Sequence, residues 1–188
     1  MTQPRGWFPQ PNPGGSYRAT ARRSVAQWIE GQNIAGVQHV YPGLPATWNF
    51  DGYPAGGTRY GCLIGVRIPT DSEERVAYTG QTDPGGKMLH FDVLLRVYHQ
   101  SFVAYDGDDT ADIEDDYDRI IDALKDCFRS DGRDLNRPDV FLAVAETPRQ
   151  QSFRGDHPDP FRIESGALAR EGTLSFTVTQ YLPAYPTQ

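Results

Sequence analysis

The 188-residue chain has only two cysteines and two lysines, and it has no long run of apolar residues. Cys62 and Cys127 are too few for a disulfide framework and lack the CxxC spacing of a zinc site, so we expect both to be reduced packing residues. No stretch approaches the roughly 20 apolar residues that a membrane-spanning helix requires. The opening MTQPRGWFPQPNPGGSY also lacks the apolar segment and cleavage site of a secretory signal. These features predict a soluble protein that stays in the cytoplasm.

The charge balance is acidic, with a net charge of −7 and a sequence pI near 5.0. A protein that wraps duplex DNA neutralises phosphates with basic residues, and this composition argues against that role. Of the 18 basic residues, all but Lys87 and Lys125 are arginine. Arginine suits bidentate contacts at interfaces, but a GC-rich genome produces the same bias, and we favour the genomic explanation.

Motifs for metal-dependent proteolysis, serine hydrolysis, phosphate binding and dinucleotide binding (HExxH, GxSxG, GxxxxGK and GxGxxG) are missing from the sequence. The sharpest enzymatic candidate is HFD, because His90 and Asp92 would share one face of a strand and could pair a base with a carboxylate or hold a metal. The alternative is a polar sheet face on which His90, Asp92 and Arg96 pair across strands. We favour this alternative and predict no catalytic residues, no cofactor and no metal.

The periodicity of the remaining chain predicts an α+β fold, with a mostly antiparallel sheet of about five strands covered by two helices. Residues 16–182 would form this single domain, with an extended arm at 1–15 and a tail at 183–188. Helical spacing covers 16–30, and a short apolar segment follows at 34–41. Strand patterns cover 62–68, 76–78, 89–97, 140–146 and 173–182. Turn-type residues in IPTDSEER (68–75) and GQTDPGGK (80–87) predict an antiparallel meander through the first three strands.

Three segments have turn and loop composition, and they contain aromatic residues. The arm at 1–15 is rich in proline and carries Trp7 and Phe8; it is either a disordered terminus or an arm that docks on a neighbouring subunit. Long loops are predicted at 42–61 and 147–160. Aromatic residues in the first loop indicate either a contact surface or a loop folded back on its own core. The aromatic residues that we take as candidates for an oligomer or partner interface are Trp7, Phe8, Trp48, Phe50, Tyr53 and Phe153.

An acidic stretch precedes the second helix, with eight carboxylates between Asp106 and Asp118. An EF-hand calcium loop needs an acid at its fifth position, glycine at the sixth and glutamate at the twelfth. A loop starting at Asp106 would have Thr110, Ala111 and Tyr117 there, so the pattern does not match. Apolar residues instead recur at spacings of three and four through 113–128, and acids at a helix start favour the positive end of its dipole. The stretch therefore predicts a helix start, and its surplus acids are compatible with a surface that faces a partner or a channel.

Four segments together resemble the tail terminator proteins of long-tailed bacteriophages, particularly those infecting actinobacteria: RRSVAQWIEGQNIAGVQHVYPG, GGKMLHFDVLLRVYHQS, DDYDRIIDALKDCFRSD and TLSFTVTQYL. The resemblance spans about residues 16–182 and includes no catalytic signature. It implies a structural virion protein that forms a ring, usually a hexamer, at the head-proximal end of the tail tube. Such a ring halts tube polymerisation and offers a surface to the head connector. The arm at 1–15 and the loop at 42–61 are additional to what the simplest tail terminator proteins carry.

The partners implied by this resemblance are further copies of the chain, the tail tube protein and the head-tail connector protein, with no membrane. Genomic DNA would pass through the lumen without specific binding, and a negative wall would keep it from adhering. The acids that we predict to face this channel are Asp71, Glu73, Glu74, Asp106, Asp108 and Asp109. Two alternatives remain open: another head-to-tail connector, such as a stopper or adaptor, and a small enzyme that uses His90 and Asp92.

Overall fold

The computed structural model describes residues 16–51, 59–76, 86–103, 110–131, 142–144 and 153–182. These residues form two helices and seven strand segments, an α+β fold as predicted. In chain order the elements are α1 (Tyr17–Gly31), β1 (Val37–Tyr41), β2 (Tyr60–Val76), β3 (Gly86–Ser101), α2 (Ala111–Asp131), β4 (Leu142–Val144), β5 (Arg154–Gly155), β6 (Phe161–Arg162) and β7 (Leu168–Leu182). The predicted arm and tail lie outside the described residues.

The strands form one mixed sheet in the order β1-β2-β3-β7-β4, and β5 and β6 also pair with β7. Every pair is antiparallel except β1 with β2. A parallel pair requires the chain to return along the sheet between the two strands, and this connection runs from the end of β1 at Tyr41 to the start of β2 at Tyr60. The mostly antiparallel sheet was predicted, whereas the 34–41 segment was predicted only to be apolar.

Strand β2 contradicts the predicted turn at 68–75. It runs without interruption from Tyr60 to Val76, so the first two predicted strands are one strand paired with β3 along its length. The register shifts between Arg67 and Thr70, where Pro69, which has no N–H to donate, lies in the irregularity. Residues 71–74 are exposed. With neither face of this part buried, no alternating pattern was available to distinguish it from a turn.

Other boundaries move by a few residues. Tyr60 and Gly61, predicted as loop, begin β2, and the predicted loop at 147–160 contains β5. The last strand begins at Leu168 and not at Thr173. The fourth predicted strand is described only at 142–144, and the expected hairpin residues between β2 and β3 lie outside the described part.

Both helices cover the same face of the sheet, as expected. Alternate residues of β2, β3 and β7 point toward them and are buried in one apolar core. The helices meet where the rings of Trp28 and Phe128 stack with centroids 4.7 Å apart, and Phe128 also lies 4.3 Å from Phe176 of β7. The largest fully buried side chains are Tyr117, Phe91, Ile29, Leu63, Ile64, Leu95, Ile113, Ile120, Ile121, Leu124 and Leu174. The other face of the sheet is therefore left for other contacts.

Candidate functional site

The second face of the sheet, opposite the helices, is the first candidate surface. It is formed by the alternate residues of β3 and β7 that point away from the core, because successive strand residues face opposite sides. From β3 these are His90, Asp92, Leu94, Arg96, Tyr98 and Gln100, and from β7 they are Glu171, Thr173, Ser175, Thr177 and Thr179. Apart from Tyr98, which is buried, they are half-buried or exposed.

Part of the predicted aromatic loop covers one end of this second face. The ring of Trp48 stacks on Tyr98 with centroids 5.5 Å apart and planes 5° from parallel, and its Nε1 donates a hydrogen bond to Glu171 Oε1 at 3.2 Å. Phe50 meets Phe102 edge to face at 5.1 Å. The described part of the loop is therefore folded back on its own domain, one of the two alternatives that the composition left open.

Gly65 allows this close packing. A Cβ at this position of β2 would lie 3.1 Å from the Trp48 ring and 3.0 Å from Leu44. Both distances are tighter than ordinary van der Waals contact, so a side chain would lift the loop from the sheet. Burial and the neighbouring Glu171 carboxylate also raise the pKa of Tyr98 above its usual value, so the Tyr98 hydroxyl stays protonated beneath the loop.

His90 and Asp92, the enzymatic candidates, contact different partners. Asp92 accepts hydrogen bonds from Thr70 Oγ1 at 2.5 Å and from Thr177 Oγ1 at 3.3 Å. His90 Nε2 lies 3.5 Å from a carboxylate oxygen of Glu74 on the neighbouring strand. These contacts are the cross-strand pairing of a polar sheet face. In the described part of the chain, no group of three or more His, Cys, Asp or Glu side chains is arranged to hold a metal ion.

The acids predicted to face a channel are described only on β2, and each has a basic neighbour. Asp71 lies 3.7 Å from Arg18, Glu73 lies 2.5 Å from Lys87, and Glu74 is the neighbour of His90. Asp71 and Glu73 pair with core positions of β3 and so belong to the helix side of the sheet, whereas Glu74 is on the second face. They do not form one acidic patch. The remaining candidates, Asp106, Asp108 and Asp109, lie outside the described residues.

Phe153, another interface candidate, packs within the chain. Its ring lies 6.1 Å from that of Phe128 and 5.7 Å from that of Phe176, and the Arg129 guanidinium lies 5.8 Å over it. It therefore extends the core beside β7. The three other aromatic candidates, Trp7, Phe8 and Tyr53, lie outside the described residues.

A buried polar pair between β3 and α2 was not predicted. His99 is fully buried, and its Nε2–H donates to Asp116 Oδ2 at 2.8 Å, while the other oxygen of Asp116 accepts from Arg119 Nη2 at 2.7 Å. Within the described residues His99 Nδ1 is buried without a hydrogen-bond partner. Protonation would place a second N–H there, so the neutral ring is favoured. The sequence signal for the burial of His99 was strand alternation, because His99 lies on the same core-facing side of β3 as Val97 and Leu95.

The pKa values of His99 and Asp116 are both lowered, which favours a neutral imidazole and a charged carboxylate. Burial lowers the pKa of His99, against hydrogen bonding and attraction from Asp116, which act to raise it. For Asp116, burial acts to raise the pKa, but hydrogen bonds from Arg119 and His99 outweigh it and hold the pKa below its usual value. The pair is therefore a neutral imidazole that donates to a charged carboxylate.

Arg170 forms a second polar cluster beside the first. It is buried on β7, lies 4.6 Å over the ring of Tyr117, and donates to Pro158 O at 2.5 Å and Asp118 Oδ1 at 3.4 Å. Gly172 provides the space for Tyr117, because a Cβ there would lie 2.1 Å from the phenol oxygen. Two acids of the stretch that was predicted to start this helix, Asp116 and Asp118, thus serve internal contacts.

No protein-family model matches the chain, and no curated protein matches it. Neither described helix is long and apolar enough to cross a membrane.

Proposed function

We propose that this protein is a structural virion protein that forms a ring at the head-proximal end of a phage tail tube. The ring would end tube polymerisation and provide the surface that joins the head connector. Its partners would be further copies of the chain, the tube protein and the connector, with DNA passing through the lumen. The proposal combines the resemblance to tail terminators with the architecture of the described residues.

The observation that carries the proposal is the match between the resembling segments and the framework of the fold. RRSVAQWIEGQNIAGVQHVYPG contains the last ten residues of α1 and all of β1, and GGKMLHFDVLLRVYHQS contains β3. DDYDRIIDALKDCFRSD lies within α2, and TLSFTVTQYL forms most of β7. The resemblance therefore follows the helices and central strands that determine the core. A resemblance that falls on the framework of the fold supports the proposed assembly role, and the site must be tested separately because fold alone does not define function.

The exposed part of the second face supports an interaction role. Beyond the Trp48 loop, the sheet presents threonine, serine and charged residues that are only half-buried or exposed on β3 and β7. Threonine combines strong β preference with hydrogen-bonding capacity, and serine contributes hydrogen-bonding capacity. Such a surface stays solvated in the separate subunit and can still make polar contacts in an assembly, as the proposed ring requires.

The test is to assemble tails with and without the protein and to score tube length and terminal rings by negative-stain electron microscopy. The proposal predicts that its absence gives tubes of uncontrolled length that do not join heads. Tubes of normal length that fail to join would favour the connector alternative. A virion of normal structure would contradict both.

The enzymatic alternative needs its own variant. His90→Ala removes the imidazole from a half-buried position on the second face of the sheet, where its charged neighbour is Glu74. The ring proposal predicts that tails assembled with this variant have normal length and join heads normally. Normal assembly combined with loss of infectivity would favour the enzymatic alternative.

A further inference from the structure

The first half of α1 is unusually basic for its position. Arg18, Arg22 and Arg23 lie in its first two turns, and the first turn contains no acidic residue. Positive charge is unfavourable near the positive end of the helix dipole. Arg18 and Arg22 are also four residues apart, a spacing at which like charges repel. This arrangement weakens the isolated helix, so it calls for compensation by anions or acceptors.

Only Arg18 receives that compensation from the described residues. Its Nε donates to Ile68 O at 2.8 Å, its Nη2 donates to Pro69 O at 2.7 Å, and its guanidinium lies near Asp71. Within the same residues the buried Nε of Arg22 has no hydrogen-bond partner. Arg23 is exposed and has no ion pair there. The exposed Arg23 therefore remains available to an acceptor on another molecule, and the half-buried Arg22 lies next to it in the chain; we call these two residues the arginine surface.

An acidic surface of matching character lies on α2. Its exposed aspartates are Asp112, Asp115, Asp122 and Asp126. Three of them are close to a basic side chain of the same chain, namely Arg59, Lys125 and Arg129. Asp115 has no such partner among the described residues. We call Asp112 and Asp115, at the start of α2, the aspartate surface.

We propose that the arginine surface of one copy docks on the aspartate surface of a second copy. The inference rests on the proposed function, because it supposes that the chain assembles with itself. Contact between two different patches of the molecule can be heterologous, and in that arrangement it repeats from copy to copy, as a ring requires. The opposite charges of the two surfaces favour a second copy of the chain as the partner, whereas the net charge of −7 opposes binding to DNA.

The experiment is a charge exchange in the full chain, followed by sedimentation velocity over a concentration series at low salt. Arg23→Glu and Asp115→Arg each place like charges in the contact. We expect each to weaken self-association at least about fivefold, the effect of close to 1 kcal/mol at room temperature. The double variant restores opposite charges in exchanged positions, so we expect association within about twofold of the original. About 1 M salt should weaken the original association, because it screens charges beyond roughly 3 Å.

Two matched controls change charge by the same amount elsewhere. Arg162→Glu alters an exposed arginine of β6, and Glu164→Arg alters an exposed acid between β6 and β7. Both should associate as the original chain does. Urea unfolding of every variant identifies any that has lost its fold. Substitutions at Arg23 and Asp115 should keep the fold, because both residues are exposed.

Three outcomes would overturn the inference: an original chain that stays monomeric at low salt, single variants that associate normally, or a double variant that is not rescued. Binding of a short DNA duplex that Arg23→Glu abolishes would also overturn it. The outcome is separate from the tube-length assay, since a terminator can use other surfaces to assemble on the tube.

Discussion

Replacing Trp48 with alanine distinguishes a residue that stabilises its own domain from one reserved for a partner. The structure assigns the indole to the second face of the sheet, stacked on Tyr98 and hydrogen-bonded to Glu171. We therefore expect Trp48→Ala to lower the free energy of unfolding of the separate subunit, before any assembly. A residue that served only an interface would leave this free energy unchanged.

The magnitude follows from three contributions. Burying half of an indole removes about 100 Å² from water, worth about 2.5 kcal/mol at most. Stacking adds about 0.5–1.5 kcal/mol, and the hydrogen bond adds about 1 kcal/mol. A compact unfolded chain already buries some of this surface, which reduces the sum. The expected loss for Trp48→Ala is therefore about 2–4 kcal/mol.

Urea unfolding followed by far-UV circular dichroism measures this loss. The expected result is a lower midpoint with an unchanged denaturant dependence, since the same surface is exposed on unfolding. Trp48→Phe is the matched control: it keeps an aromatic ring over Tyr98 but removes the donor to Glu171, so it should cost only about 1 kcal/mol. A loss below about 0.5 kcal/mol for Trp48→Ala would refute the reasoning.

Three further predictions concern other parts of the fold. Gly172→Ala should destabilise the domain by about 1–3 kcal/mol, because the new Cβ meets the phenol oxygen of Tyr117. Gly31→Ala should stabilise it by up to about 1 kcal/mol, because a Cβ there has nothing within 4 Å. Urea midpoints in any other order would contradict this prediction. Acid should weaken the fold in two steps. The first step comes from His99, whose pKa is lowered by burial: its contribution to stability is complete above pH 6.5, its usual pKa, and is lost as the pH falls toward the lowered pKa of the folded state. Asp116, whose pKa is also lowered, adds a second loss below its usual 3.8, and equal urea midpoints at about pH 7 and about pH 5 would refute the first step. His90→Ala should change the free energy of unfolding by less than about 0.5 kcal/mol by the same assay, and a larger loss would mean that its contacts with the sheet matter more than their exposure indicates.

The sequence predicts elements well where one face is buried. Apolar residues at spacings of three and four defined α2, and strict alternation defined β3, because burial on one side imposes a period. The far half of β2 escaped prediction for the opposite reason: residues 71–74 are exposed, and pairing with β3 holds them as a strand. Cross-strand pairing between residues distant in sequence leaves no local signal.

The internal polar clusters were missed because their partners are far apart in the chain. His99 and Asp116 belong to different elements, and Arg170 reaches Asp118 across 52 residues. From sequence alone, those carboxylates belonged to an acidic helix start with more acids than capping requires. The fold assigns two of them to His99 and Arg170, which leaves the exposed aspartates as the ones available to a partner.

The position of β7 has a consequence for the order of folding during synthesis. β7 lies between β3 and the short strands β4, β5 and β6, and its ladder joins residues as distant as Lys87 and Leu182. Until β7 has left the ribosome, one long edge of β3 has no strand to pair with, and closing such distant contacts is slow. An uncovered edge of this length invites pairing with other nascent chains. A chain shortened before Leu168 would therefore aggregate rather than remain a smaller soluble domain.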